Sequence, residues 1–186
     1  MFWRTGNSEY ELVKRARRQD SAAIKSLYDK YVQYLAAVCG SYISSEDDVK
    51  DVLQDGFLKI FSSLDKFEWR GEGSLKLWMR RVVVNEALMF IRSHKNIPED
   101  LLQPGMDFPS EEEPEIDAVP MPELMKMIRS MPQGYRTVFS LYVFEQKSHK
   151  EIAELLGISE NTSYSQFSRA RSLLAKKIKE YNSDER

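Results

Sequence analysis

The sequence predicts an all-α protein of two small helical domains, joined by an acidic, Pro-containing linker and carrying a helix-turn-helix in the C-terminal one. Three observations carry that prediction. Apolar residues recur at spacings of three and four on both sides of the chain's middle, and no convincing strand alternation appears. The middle itself, residues 95–118, holds four of the seven prolines (Pro98, Pro104, Pro109, Pro114) and the run Glu111-Glu112-Glu113, with no sustained apolar periodicity. Nearer the C-terminus, Ile152, Ala153, Leu156, Gly157 and Ile158 stand where two helices joined by a tight turn need an apolar contact, a small residue, a second contact, a glycine and an apolar lock.

The helices follow in order. Ala23, Ile24, Leu27, Tyr28, Tyr31, Tyr34, Leu35 and Val38 form one stripe, with Asp20 or Ser21 as N-cap. A second helix opens at Ser44 or Ser45 and lines up Val49, Val52, Leu53, Gly56, Phe57, Ile60, Phe61 and Leu64. Its other face gathers Glu46, Asp47, Asp48, Asp51 and Asp55, more negative charge than an N-terminal dipole explains, since that effect fades after the first turn. Residues 65–73 then break the helix with two glycines around Phe67, Trp69 and Arg70. A long helix from Ser74 to about His94 carries Lys76, Arg80, Arg81 and Arg92, and further helices are expected near 122–131, 132–145, 148–156 and 159–180. Between the two sets, residues 95–119 read as a linker. A surface loop within one domain is the alternative, although structureless loops beyond ~15 residues are uncommon in compact domains.

Composition narrows the functions. The 186 residues are 42% hydrophobic and 30% charged, which suits a soluble globular chain. No apolar stretch approaches the ~18–20 residues that span a bilayer, and residues 1–7 lack the apolar core of a secretory signal, so a cytoplasmic location without membrane insertion is expected. One cysteine, Cys39, and two distant histidines, His94 and His149, offer no metal-ligand spacing, so neither a metal nor another cofactor is expected. No phosphate-binding glycine loop or nucleophile–His–Asp arrangement appears, and no catalytic residue or small-molecule substrate is expected. The net charge of −2 hides a division: 15 basic and 13 acidic groups in 1–94, 1 and 8 in 95–118, 11 and 8 in 119–186. Outside the acidic middle the chain is basic.

The strongest signal is the segment from His149 to Phe167. Ser159 is a good N-cap, and with Thr162 it lets the second helix present N–H groups and hydroxyls to a phosphate. Ser163, Tyr164, Ser165, Gln166, Ser168 and Arg169 then supply hydrogen-bonding groups, the outward ones within reach of base edges. A helical hairpin used only for packing would not need so polar a second helix.

Together with Met131-Pro132-Gln133-Gly134-Tyr135-Arg136-Thr137-Val138-Phe139 and Ser168-Arg169-Ala170-Arg171-Ser172-Leu173-Leu174, this segment resembles the fourth domain of bacterial RNA polymerase sigma factors of the extracytoplasmic-function group. Asp47 to Phe61 is similar to that family's polymerase-binding segment, and Phe67 to Arg92, with Trp78-Met79-Arg80-Arg81 and Asn85, to its promoter-melting segment. The two matches, over roughly 20–94 and 120–180, occur in the family's order. Where the family's recognition helix often reads Thr-Val-Lys-Ser-Arg-Leu, this chain has Thr162-Ser163-Tyr164-Ser165-Gln166-Phe167 and lacks two common cations. The melting loop also has extra residues before Gly71.

The resemblance implies a promoter-specificity subunit with three parts: residues 1–94 for core binding and minus-ten recognition and melting, 95–119 as linker, and 120–186 for the minus-thirty-five element. It implies upstream DNA contacts from Arg136, Lys150, Ser159, Asn161, Thr162, Tyr164, Ser165, Ser168, Arg169 and Arg171. Minus-ten contacts and melting fall to Phe67, Trp69, Arg70, Gly71, Ser74, Arg80, Arg81 and Asn85, because an opened strand is held best by aromatic and guanidinium surfaces beside backbone donors. Phe67 and Trp69 have a second reading, as caps on the core under a turn, and Asn85 a second as a buried capping group. Asp48, Asp51, Gln54, Asp55, Leu58 and Lys59 are implied to dock the coiled-coil clamp of the polymerase's large subunit, a role that suits an acidic face because phosphates would repel it. An anti-sigma factor is the implied regulator. Fully extended, the 24 residues of 95–118 reach about 80 Å at ~3.3–3.6 Å each, which suits promoter elements roughly 85 Å apart. A free-standing helix-turn-helix regulator is the other reading, although it would need neither the acidic helix nor the aromatic loop.

Overall fold

The computed structural model describes residues 9–93 and 119–184. Among them are eight α-helices, one 3-10 turn and no strand. The linker expected at 95–119 lies outside the described residues except for Val119, and so do residues 1–7 and His94. The described residues form two compact units, one of 9–40 with 45–89, the other of 41–44 with 90–93 and 119–184.

In the first unit α1 (Glu9–Arg17), α2 (Ser21–Gly40), α3 (Glu46–Ser62) and most of α4 (Ser74–Ser93) enclose one core. Asp20 is the N-cap of α2: its Oδ1 accepts from the Ala22 and Ala23 N–H groups at 3.0 and 3.2 Å. Ala23, Leu27, Tyr31, Leu35 and Val38 then repeat every three or four positions and are buried. Ser45 caps α3 by accepting from Asp48 N–H at 3.3 Å, and Val52, Leu53, Phe57 and Ile60 face inward from that helix. Leu75, Met79, Val83 and Ala87, four apart, are the corresponding line of α4. Each such aliphatic or Phe side chain contributes about 1.5–3 kcal/mol when fully buried. Gly56 lets α3 and α4 approach closely, since a Cβ there would stand 3.2 Å from Val83 Cγ2. The periodicity did not predict α1, whose buried Leu12, Val13 and Ala16 are diluted by Lys14, Arg15 and Arg17.

The second unit contains α5 (Met121–Arg129), α6 (Gln133–Val143), α7 (His149–Leu156) and α8 (Glu160–Asp184). The ends differ from the expected ones by a few residues, most at α8. Its core unites Ile128, Met131, Phe139, Ala170, Leu174 and Ile178. Between α7 and α8 the turn depends on Gly157 at φ +68°, where a Cβ would meet nothing within 4 Å, so the left-handed backbone and not lack of space selects glycine. Gly157 and Ile158 N–H groups both donate to Ala153 O, closing the end of α7.

At its other end α7 has a reciprocal capping box. Ser148 Oγ accepts from Glu151 N–H at 3.3 Å while Glu151 Oε2 accepts from Ser148 N–H at 2.9 Å. Lys147 and both Ser148 donors hold the Glu151 carboxyl down at about 2. A lowered folded-state pKa stabilises above the unfolded value and is lost as pH falls through the folded one. Ser148→Ala is therefore expected to cost about 1 kcal/mol in the second unit. Glu151→Ala should destabilise at pH 7, with its difference from the unsubstituted protein closing as pH falls from 4.5 to about 2; urea titrations across that range check both.

Candidate nucleic-acid interface

The exposure of α8 is set by its inward line. Ser163, Gln166, Ala170, Leu174 and Ile178 are buried, so the opposite side turns Glu160, Asn161, Tyr164, Ser168 and Arg171 to solvent. The helix begins at Ser159, whose Oγ accepts from Thr162 N–H at 3.0 Å and lies 2.8 Å from Thr162 Oγ1. Thr162 and Ser165 are half-buried, and Ser165 Oγ donates to Asn161 O at 2.9 Å. Lys150 is exposed on α7. What remains outward is a polar, hydroxyl-rich face with one large ring, Tyr164, 54% exposed.

Two residues expected to contact upstream DNA are placed elsewhere. Arg136 is only 1% exposed: Nη1 donates to Arg129 O at 2.6 Å and Met131 O at 3.3 Å, and Nη2 to Gln133 Oε1 at 2.5 Å. Burial pushes its guanidinium down to about 10, still charged at neutral pH, and it is spent on tying the start of α6 to the end of α5. Arg169 is 7% exposed because it lies three residues after Gln166 and just before Ala170, on the side that packs. Both corrections have the same cause: a cation in the right motif on the inward phase of its helix.

His149 is a participant the sequence reading missed. It is buried, its Nδ1 lies 2.9 Å from Ser163 Oγ, and its ring centroid is 4.7 Å from that of Tyr142 and 3.9 Å from that of Tyr164. Burial lowers its pKa, with Glu160 partly opposing, which favours the neutral imidazole among these rings.

The loop of the first unit also differs from expectation. Phe67 is 4% exposed, with its ring centroid 5.2 Å from that of half-buried Trp78. It is therefore a core residue and not an exposed base-capturing ring. Trp69 is half-buried, 5.4 Å from the Tyr10 ring of α1 and edge-on to Phe67. Arg17 anchors this stretch, donating through Nε to Leu64 O at 3.2 Å and through Nη2 to Phe67 O. Beyond the anchor Arg70 is exposed and paired with Glu68 at 3.0 Å. Gly71 and Gly73 have φ of +105° and +81°, and Ser74 Oγ donates to Gly71 O at 2.6 Å. On α4, Arg81 and Asn85 are exposed, so the capping role for Asn85 finds no burial to support it, and half-buried Arg80 donates to Tyr34 OH at 3.5 Å.

On α3, Asp51, Gln54, Asp55 and Leu58 recur at three and four and are all exposed, Leu58 by 64%. Asp48 is half-buried, and Lys59 pairs with Glu86 of α4 at 2.6 Å. An acidic face with an exposed leucine suits a protein partner better than DNA. Among the described residues no group of His, Cys, Asp or Glu could hold a metal ion, and no helix is long and apolar enough to cross a membrane.

Among the described residues the chain is all-helical, with a helix-turn-helix in one unit and an acidic, leucine-bearing helix in the other, an arrangement suited to binding DNA and docking a protein. Comparison with known proteins makes this specific. Residues 27–97 match the family model for Sigma-70 region 2 and residues 122–174 that for Sigma-70 region 4, together 124 of 186 residues and in the family's order. The chain is 28% identical over 184 residues to the ECF RNA polymerase sigma-E factor of Haemophilus influenzae, covering 92% of this chain and 95% of that one. It is 26% identical to the protein of the same description from Escherichia coli K12, covering 90% and 92%. Among solved structures it is similar to CnrH in complex with the cytosolic domain of CnrY (22% identity, 93% and 98% covered, TM-score 0.48). It is also similar to the sigma factor RpoE in complex with the anti-sigma factor NepR from Bartonella quintana (22%, 83% and 96%, 0.47). The chain belongs to the sigma-70 family, in its extracytoplasmic-function group, and is a promoter-specificity subunit of RNA polymerase.

The placement of Phe67 generates a direct test. Trp69 and Trp78 lie in the first unit and the second unit has no tryptophan, so their fluorescence reports on the first unit. Phe67→Ala is expected to lower that unit's stability by about 3–5 kcal/mol, whereas Arg70→Ala should change it by less than about 0.5 kcal/mol. Denaturation followed by fluorescence measures both.

Proposed function

We propose that the chain divides promoter recognition among three surfaces and works by binding, without turnover, in the cytoplasm where the polymerase acts. The outer face of α3, with Asp48, Asp51, Gln54, Asp55, Leu58 and Lys59, docks the coiled-coil clamp of the large subunit. The tip of the loop before α4, Arg70 to Ser74 with the Trp69 edge, and the outward residues Arg80, Arg81 and Asn85 of α4 engage the minus-ten element and hold its opened strand. The exposed start of α8, with Asn161, Thr162, Tyr164, Ser165 and Ser168, enters the major groove of the minus-thirty-five element, flanked by Lys150, Ser159 and Arg171. Residues 1–94 and 120–186 serve as the two promoter-binding domains and 95–119 as their connection. By family membership an anti-sigma factor is the regulatory partner.

The observation that carries this division is that both family regions lie on one chain in order, each with its own outward polar surface. The acidic face of α3 separates it from a free-standing regulator, which needs no second macromolecular partner. Reversing Asp51 and Asp55 to Lys is expected to weaken binding to core polymerase by about tenfold or more, without DNA present, and to leave helical content unchanged because both side chains are exposed. A titration of labelled core enzyme showing unaltered affinity would overturn the assignment of this face.

A further inference from the structure

Tyr164 stands in the recognition helix where the resembling proteins often carry a cation, and its surroundings are built. Although 54% exposed, its ring lies 3.9 Å, centroid to centroid, from His149 at an angle of 35°. His149 is itself fixed. It is 7% exposed, its Nδ1 is 2.9 Å from Ser163 Oγ, and Tyr142 stacks on it at 4.7 Å and 24°. A ring held in this way loses little freedom on meeting a ligand, which is what makes a rigid aromatic useful in recognition.

What such a ring can read in duplex DNA is narrow. Bases in the major groove are stacked and show only their edges, so a side chain from a helix lying there cannot stack on a base face. Among those edges the C5 methyl of thymine is the apolar group, and the edge of an aromatic ring is its natural partner. We propose that Tyr164 determines specificity for a thymine in the upstream element through that methyl, and that His149 is its positioning residue. This deepens, and rests on, the reading that α8 occupies the upstream major groove.

The test uses holoenzyme reconstituted from core polymerase and the full chain. Promoters are selected from a library randomised over the upstream element, and each selected thymine is then replaced in turn by deoxyuridine, which removes the methyl and leaves every hydrogen-bonding group. At one or two positions the unsubstituted protein is expected to lose about fourfold in affinity, the value of one buried methyl group. Tyr164→Ala should bring that ratio to one, and Tyr164→Phe should keep it, because the hydroxyl is not the reader. His149→Ala should lower the ratio while His149→Phe retains it. A purely structural defect would weaken thymine and deoxyuridine duplexes alike and leave their ratio unchanged. A selected element without thymine, a ratio of one at every position, or a ratio that survives in Tyr164→Ala overturns the proposal. Footprinting separates the layers: upstream protection with a ratio of one sinks the thymine inference alone, whereas no upstream protection removes α8 from the groove altogether.

Discussion

The phase of α8 is the constraint on which the second unit depends. A helix of 25 residues, about 37 Å long at 1.5 Å per residue, has one side to give to α5, α6 and α7. The line Ser163, Gln166, Ala170, Leu174, Ile178 is that side. Ala170, Leu174 and Ile178 fix it by apolar burial, and once they do, the first two turns have no choice of face. Ser163 must point at His149, Asn161 and Ser168 must face solvent, and Tyr164 lies at the margin, 54% exposed with its ring against that of His149. The outward face of the first two turns is thus decided by packing that runs as far as Ile178, roughly five turns beyond Asn161. A residue can be polar, basic and within the recognition segment, as Arg169 is, and still belong to the inside.

The first unit obeys an equivalent rule through its backbone. The loop between the 3-10 turn Leu64–Lys66 and α4 is anchored at one end by Arg17 on two carbonyls and by Phe67 in the core. At the other end the Ser74 hydroxyl is bonded to Gly71 O. Between these anchors the tip keeps Arg70 exposed and two glycines in left-handed conformations, where side chains would be strained. A loop tethered at both ends and open at its tip keeps a defined shape, and in the function proposed above that tip is where a nucleotide meets the backbone. It is α1, through Arg17 and through Tyr10 against Trp69, that makes the tether.

Much of this was legible in the sequence. The stripes of α2 and α3, the glycine of the tight turn and the acidic face of α3 follow from spacing, because a 3.6-residue period leaves little choice of buried side where eight apolar positions agree. The short α1 did not, since nine residues with three buried positions leave too little pattern among charges. Nor did the inward placement of Arg136 and Arg169, whereas that of Phe67 is one of the two readings its sequence leaves open. Motif position says which segment meets a partner, but a rotation of 100° per residue decides which side chains do, and that phase is set by contacts with other helices. In the sequence His149 marks the start of the helix-turn-helix segment and is otherwise a poor metal ligand. Its role against two tyrosines depends on the Tyr142, Tyr164 and Ser163 neighbours that folding brings to it.

The same geometry bears on how affinity and specificity are shared. The start of α8 has an exposed acid, Glu160, and no exposed cation before Arg171, so it gains little from counterion release, the sequence-independent part of DNA affinity. A surface of hydroxyls, an amide and one ring discriminates by edge chemistry and holds weakly by itself. Such a surface serves if something else brings it to the DNA. In the function proposed above, the polymerase-docking face and the melting loop on the same chain supply that, because once the complex is docked each further contact is intramolecular and is governed by effective concentration, not by its own dissociation constant. A weak, selective upstream reader is then better suited to its task than a tight one, since the energy it does not spend on phosphates leaves promoters distinguishable by their bases.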